Sequence, residues 1–469
     1  AGRAVKTPRT SAEGCFIGRI RTPRPDAPVT YSKQIARLLQ RRCVECHREG
    51  QIAPFALTDY DEVVGWAETI DEVVSQRRMP PWHADPRHGR FANDRHLNDE
   101  ERQLVHCWVA DGAPEGNPAD LPKPVKFTIG WQLPRKPDVV IPMADKPFSV
   151  PAEGTVRYKY FTVDPKFRED RWVQLAELQP GNRAVVHHIL VFVRAPKGSR
   201  HGGWTGGPGA FLASYVPGAR LHSFPDGMAK FIPAGSSLIF QVHYTPIGTR
   251  QEDTSRLGLV YARADEVTHV VMTQQALKRR GLVIPPGAGN SRHEATSQTS
   301  PLEVQLLRMM PHMHLRGKAF RYEARFPGGQ TRTLLDIPHY DFNWQTAYRL
   351  EKPLALPPGT RIHCVAHFDN SEANLANPDP TATVRWGDQT WNEMMIGYFD
   401  VAVPLKPGQA SRRKSAANPA GTALIKRYDA NQDGKLTRNE VPRRLRAVFD
   451  RLDVNKDRVL TVEELARRR

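Results

Sequence analysis

Residues 308–318 read Arg-Met-Met-Pro-His-Met-His-Leu-Arg-Gly-Lys, and the histidines at 312 and 314 decide how the middle of the chain is read. On a β-strand, side chains two apart leave the same face, so His312 and His314 can deliver two imidazoles to one point without distorting the backbone. Residues 302–307 alternate loosely in the manner of a strand, and Pro311 marks the place where regular pairing should stop. The expectation is a β-scaffold presenting a pair of nitrogen ligands. A lone His-x-His is a weak signal, and three other segments give it company.

Residues 185–193, VVHHILVFV, form an apolar run interrupted by His187 and His188, and residues 241–246, QVHYTP, place His243 at the end of another. Buried histidines must be hydrogen-bonded or ligated. Neighbours on a strand face opposite ways, so His187 and His188 can share an ion only where the backbone is bulged or the side chains wrap around it; otherwise one is a core residue and the other a surface one. Residues 390–400, TWNEMMIGYFD, add Met394 and Met395, which in another setting are ordinary core filler.

The order His-His, Gln-x-His-Tyr, His-x-His, Asn-Glu-Met resembles the copper type II, ascorbate-dependent monooxygenases, the family of the peptidylglycine α-hydroxylating and dopamine β-monooxygenases. It extends over residues 139–403. The resemblance implies two tandem all-β jelly-roll-like sandwich domains with two coppers facing each other across a cleft. His187, His188 and His243 would hold the electron-transfer copper; His312, His314 and Met394 would hold the copper where dioxygen meets the substrate. A thioether among imidazoles favours Cu(I), which agrees with that assignment. Gln241 matches a family residue near the first copper, and Tyr398 matches a substrate-contacting tyrosine. Met310 stands where the peptide-hydroxylating branch has a substrate-gripping arginine, so a peptide substrate is not implied. Met395 replaces a cysteine whose partner Cys364 resembles, which leaves Cys15, Cys107 and Cys364 without assignable partners.

The rest of the chain suggests further modules. Cys43-Val44-Glu45-Cys46-His47 is the signature of covalent c-type haem attachment, with His47 as proximal iron ligand. Around it, residues 28–116 read as a small all-α cytochrome c-like domain. Ser32 caps a helix through Leu39, Thr58 or Asp59 opens a second, and Asn98 with Glu101 makes a capping box for a third. Met79, before a Pro pair, is the expected distal ligand, with His83, His88, His96 and His106 as rivals. Residues 117–147 read as a proline-rich linker, 148–265 and 266–405 as the two β-sandwiches, and 406–421 as a second linker. The glycine stretch at 201–209 lacks the ending of a phosphate loop and reads as a mobile lid.

Residues 422–469 read as a small α-helical EF-hand pair. Asp429, Asn431, Asp433, Lys435, Thr437 and Glu440 occupy calcium-ligand positions of the first loop. Asp453, Asn455, Asp457, Val459, Thr461 and Glu464 repeat them 24 residues later. Arg458 stands where the sharp turn calls for glycine, so the second loop should be strained.

The net charge of +17 is dispersed among acidic residues and is not interleaved with aromatics in one patch, which argues against nucleic acid as a partner. No run approaches the ~18 apolar residues needed to cross a membrane. Ala1 opens the sequence without a Met or an apolar leader, as expected either of an exported chain after signal removal or of a chain expressed from a trimmed gene; the haem-attachment signature points to the exported reading, periplasmic or secreted. The expected function is a dicopper monooxygenase that hydroxylates a C–H bond of a small organic molecule with dioxygen. Its electrons would come through the haem from an external donor such as ascorbate, a quinol or another cytochrome. Two further readings stay open: a copper and haem enzyme that uses peroxide or inserts no oxygen, and a non-catalytic copper- and calcium-binding electron carrier.

Overall fold

The alternating apolar runs of the middle of the chain become strands because each buries every second side chain. In Ser237–Tyr244, Leu238, Phe240, Val242 and Tyr244 point into the core, while Gln241 and His243 share the other face. The computed structural model describes residues 22–128, 130–196, 199, 210–216, 221–407, 409–410, 419–453, 456–461 and 464–465. Cys15, the glycine-rich stretch at 201–209 and Asn455 lie outside them. The chain divides into two compact units after Leu405.

The first unit is mostly β-sheet. A nine-stranded sheet runs through it, and a four-stranded sheet lies against each half. One sheet contains Lys159–Val163, Ser237–Tyr244, Val186–Arg194 and Ala210–Tyr215, and its inner face shares a core that includes Val191, Phe240 and Leu259. The other contains Ser291–Thr296, Arg361–Phe368, Gly317–Arg325 and Thr331–Ile337, around Phe320, Tyr322, Cys364 and Met395. The two sandwiches are joined edge to edge: Met228–Ile232 of the first pairs in parallel with His269–Leu277 of the second. The turn near residue 265 therefore separates two cores within one continuous sheet.

Three expectations are redrawn here. The stretch at 117–147 contains the strand Val139–Pro142, which pairs with Arg256–Tyr261, because Val139 and Ile141 have apolar partners to cover. Ser32 is fully buried; the cap before Tyr31–Ile35 is Thr30, whose extended backbone lets its hydroxyl accept from Lys33 N. The second helix opens at Asp59 and is broken at Gly65–Trp66 into Tyr60–Val64 and Ala67–Ser75. The Asn98–Glu101 capping box opens Asp99–Ala110 as read. Tyr31, Leu38, Leu39, Val63, Val105 and Trp108 form a core among these helices. Trp82 and Phe91, from the segment that follows Met79, instead enter the second sandwich, where both rings meet Tyr348 edge-on.

The second unit is a small core of Ile425, Leu436, Val441, Leu445, Phe449, Leu452, Leu460 and Leu465. Leu436–Thr437 pairs with Val459–Leu460, tying the two loops together. Glu440 Oε2 accepts from the backbone and hydroxyl of Thr437, and its Oε1 faces Ala430 N and Asn431 N. Gly434 has φ +82°, and Arg458, its counterpart, is forced to φ +65°. Side chains at that φ are strained by contact of Cβ with the backbone, so Arg458→Gly should stabilise this unit by about 1 kcal/mol. A lower melting temperature in the variant would contradict the strain.

Candidate metal centre

His188 on Val186–Arg194 sits directly opposite His243 on Ser237–Tyr244, and the register slips by one residue between Val186 and His188. His187 is the extra residue of that bulge, which turns its ring to the same side as its neighbour. The three imidazoles offer nitrogens that all lie within 4.8 Å of one another. His187 Nδ1 and His188 Nδ1 are 3.2 Å apart, and His243 Nδ1 is buried without a hydrogen-bond partner. Burial pushes His243 down to about 4. His188 is lowered well below the ordinary imidazole range, first by burial and then by the neighbouring histidines, including His312 and His314. Tyr158, which carried no signal in the sequence, presents its ring edge-on to His188 and His243 at 5.5 and 4.9 Å. Gln241 points out on the same face as His243 and donates to Tyr160 Oη at 2.7 Å.

His312 ends the strand Val304–His312, where it pairs with Ile396 of Ile396–Pro404. The His312 and His314 rings are 5.2 Å apart. His312 Nδ1 donates to Gln345 Oε1 at 2.7 Å and His314 Nδ1 donates to Asn392 O at 3.2 Å, which leaves Nε2 of each as the free nitrogen. His314 is fully buried, its Nε2 has no partner, and burial pushes its pKa down to about 3. Met394 lies two residues before the strand Ile396–Pro404, whose first residue pairs with His312. Met394 is half-buried, whereas Met395 is fully buried core.

Glu393 is the group that holds this second cluster together. Its Oε2 accepts from the backbone N–H of both His314 (2.8 Å) and Met394 (3.2 Å), and its Oε1 accepts from Arg316 N at 2.7 Å. Arg316, 1% exposed, extends its guanidinium to Asn370 Oδ1, Trp391 O and Asp379 O. Burial pushes the Glu393 carboxyl up to about 8 against the pull of these donors. Tyr398 stacks on Phe211, and burial pushes its phenol up to about 12. Met310 is buried and pairs with Tyr398 across the strands; Arg308, two residues earlier, is tied to Asp400.

Among the helices, Cys43 and Cys46 are free thiols and His47 Nδ1 donates to Phe55 O at 3.2 Å, leaving its Nε2 available. Cys46 lines a cavity of about 650 Å³ that also touches Trp82, Arg308 and Trp344. Met79 is half-buried and, among the described residues, is not part of that cavity's wall. Of its rivals, His96 and His106 are engaged by Asp94 and Asp71, and His88 sits beside Asp85 and Asp336. Cys107 and Cys364 are free; Cys364 is packed inside the second sandwich.

No family model matches the chain. Over 353 residues it is 22% identical to "DBH-like monooxygenase protein 1" of Mus musculus, covering 66% of this chain and 55% of that protein. The chain thus spans about half the length of this curated relative. That distant similarity supports the copper monooxygenase family. The major capsid protein P2 of bacteriophage PM2 aligns with a TM-score of 0.26 and 8% identity, covering 56% of this chain and 98% of that one. A Paenibacillus xanthan lyase aligns at 0.16 and 12%, covering 63% and 28%. Scores this low carry no argument about fold.

Gln345 and Glu393 have no functional signature in the sequence beyond the place of Glu393 next to Met394, because their partners are backbone groups or residues distant in the chain. Glu393→Ala strands two buried N–H groups and a half-buried third and should cost at least about 3 kcal/mol, whereas Glu393→Gln keeps one acceptor oxygen and should cost about 1–2 kcal/mol. Equal midpoints for the two variants in denaturant unfolding would show that the carboxylate is not the clamp.

Proposed function

We propose that the chain is a dicopper monooxygenase, with His187, His188 and His243 holding one copper and His312, His314 and Met394 the other. The observation that carries the reading is a pair of histidine clusters, each with a buried imidazole nitrogen left unpartnered: His243 Nδ1 in one and His314 Nε2 in the other. A buried polar atom without a partner is costly, and imidazoles held neutral by burial are ready to coordinate a cation. The donor set suits copper, with the thioether only in the second site. Copper bound there supplies one-electron redox chemistry and dioxygen activation.

The chain's own residues prepare those sites. Gln345 and Asn392 O fix the tautomers of His312 and His314, so that Nε2 of each would be the nitrogen offered to an ion. Glu393 sets the spacing of the His314 and Met394 backbones. Arg308 is already paired with Asp400, and Met310 offers no charge, so substrate recognition at this end is by apolar contact and by Tyr398. The substrate class we infer is a small organic molecule with an activated C–H bond and no required carboxylate.

The electron supply is part of the same proposal. Cys43 and Cys46 would attach a haem, with His47 and Met79 as the residues that would hold its iron, and the group would supply one-electron transfer from a donor outside the chain. The free thiols of Cys43 and Cys46 and the His47 tautomer set by Phe55 O support that reading. The C-terminal loops bind calcium through Asp429, Asn431, Asp433, Glu440 and their counterparts. Haem attachment of this kind takes place outside the cytoplasm, so we place the protein in an exported compartment. No helix among the described residues is long and apolar enough to cross a membrane.

Two measurements test this. Protein loaded with copper should bind two ions and incorporate one atom of labelled dioxygen into product. His243→Ala should lose one ion, and Met394→Ile should keep most of its copper yet lose incorporation. Product without the label would leave a copper enzyme that uses peroxide or inserts no oxygen, and no product at all would leave an electron carrier. Protein matured with a c-type haem system should give a haemochrome that resists acid-acetone extraction, and extractable haem would remove the cytochrome part.

A further inference from the structure

The connection between Thr331–Ile337 and Tyr348–Leu356, residues 338–347, grips the His-x-His pair at three points. Tyr340 Oη donates to Met313 O at 2.9 Å and accepts from Met313 N at 3.1 Å, pinning the residue between the two histidines. Gln345, 8% exposed, accepts from His312 Nδ1. Phe342 places its ring edge-on to His314, with centroids 6.1 Å apart and planes at 84°. The same ring lies flat on His187 of the other cluster, at 5.6 Å and 19°. One aromatic side chain therefore touches a histidine from each cluster, on a loop whose flanking residues are bonded to the second.

We propose that Phe342 is the spacer that fixes the separation of the two metal sites. It is a positioning residue, and the proposal rests on the copper reading above. A ring has two distinct surfaces, a face and an edge, and each here meets an imidazole in a favoured aromatic geometry. A shorter aliphatic chain has neither surface. Truncation would open a gap lined by imidazoles, polar enough to hold water. The continuous sheet through Met228–Ile232 and His269–Leu277 already joins the two halves, so the remaining freedom in the inter-site distance lies in side chains and loops such as this one.

The test uses the full chain with both coppers bound and oxidised, and reads the copper-to-copper distance distribution by pulsed electron paramagnetic resonance. Wild type and Phe342→Tyr should give the same narrow distribution. Phe342→Ala should keep both coppers and give a distribution about twofold broader, since a site held by packing loosens when its support is removed. It should also show stronger deuterium coupling to copper in heavy water. An unchanged width in Phe342→Ala at full copper content overturns the proposal. If Phe342→Ala loses copper, Phe342→Leu, which keeps bulk but not the flat face, decides in its place, and a wild-type width there overturns it. A wild-type chain that binds fewer than two coppers would overturn the copper reading itself.

Discussion

A single buried carboxyl group governs the second histidine cluster. Glu393 accepts backbone N–H bonds from His314, Arg316 and Met394, so one side chain binds the end of one strand to the start of another. Such a group is costly to bury and stays only because three donors converge on it. Arg316 then carries the constraint outward through Asn370, Asp379 and Trp391, fixing the long connection that precedes Met394. Without this clamp, a thioether and two imidazoles would sit on segments free to part, and a soft ligand set would have no fixed geometry.

The first cluster solves a different problem. Two adjacent histidines on a regular strand diverge, and the bulge at His187 removes that conflict at the expense of one ladder position. His243 needs no such device, since it lies straight across from His188. The two clusters then approach each other because the sandwiches share a sheet, through the parallel pairing of Met228–Ile232 with His269–Leu277. The histidines of one cluster weigh on the protonation of the other: His312 and His314 lower His188, and His243 lowers His314.

Much of this was legible in the chain itself. The period-two runs in residues 139–404 gave the strands, because a half-buried sheet must bury alternate residues whatever its partners. The Asn98–Glu101 cap is local chemistry and reads directly. The positive φ at Arg458 followed from the turn that calls for glycine at that loop position. Ser32 was misread because a hydroxyl near a helix start can cap only if its backbone is extended, and the core claimed Ser32 first. Trp82 and Phe91 fall within residues 28–116, yet their rings leave the helical core because the apolar surface of the second sandwich takes them.

The sequence by itself determined which side chains are available: five histidines and a methionine in four ordered motifs, two thiols ahead of His47, and two acidic loops. These are chemical identities and short-range spacings, which need no knowledge of the fold. Only the tertiary structure decided which of them meet. The bulge direction at His187, the pairing of His188 with His243, the Glu393 clamp and the reach of Phe342 from His314 to His187 all join residues tens to hundreds of positions apart. Such contacts are set by strand register and sheet order, long-range properties that depend on the whole core and have no local signature in the chain.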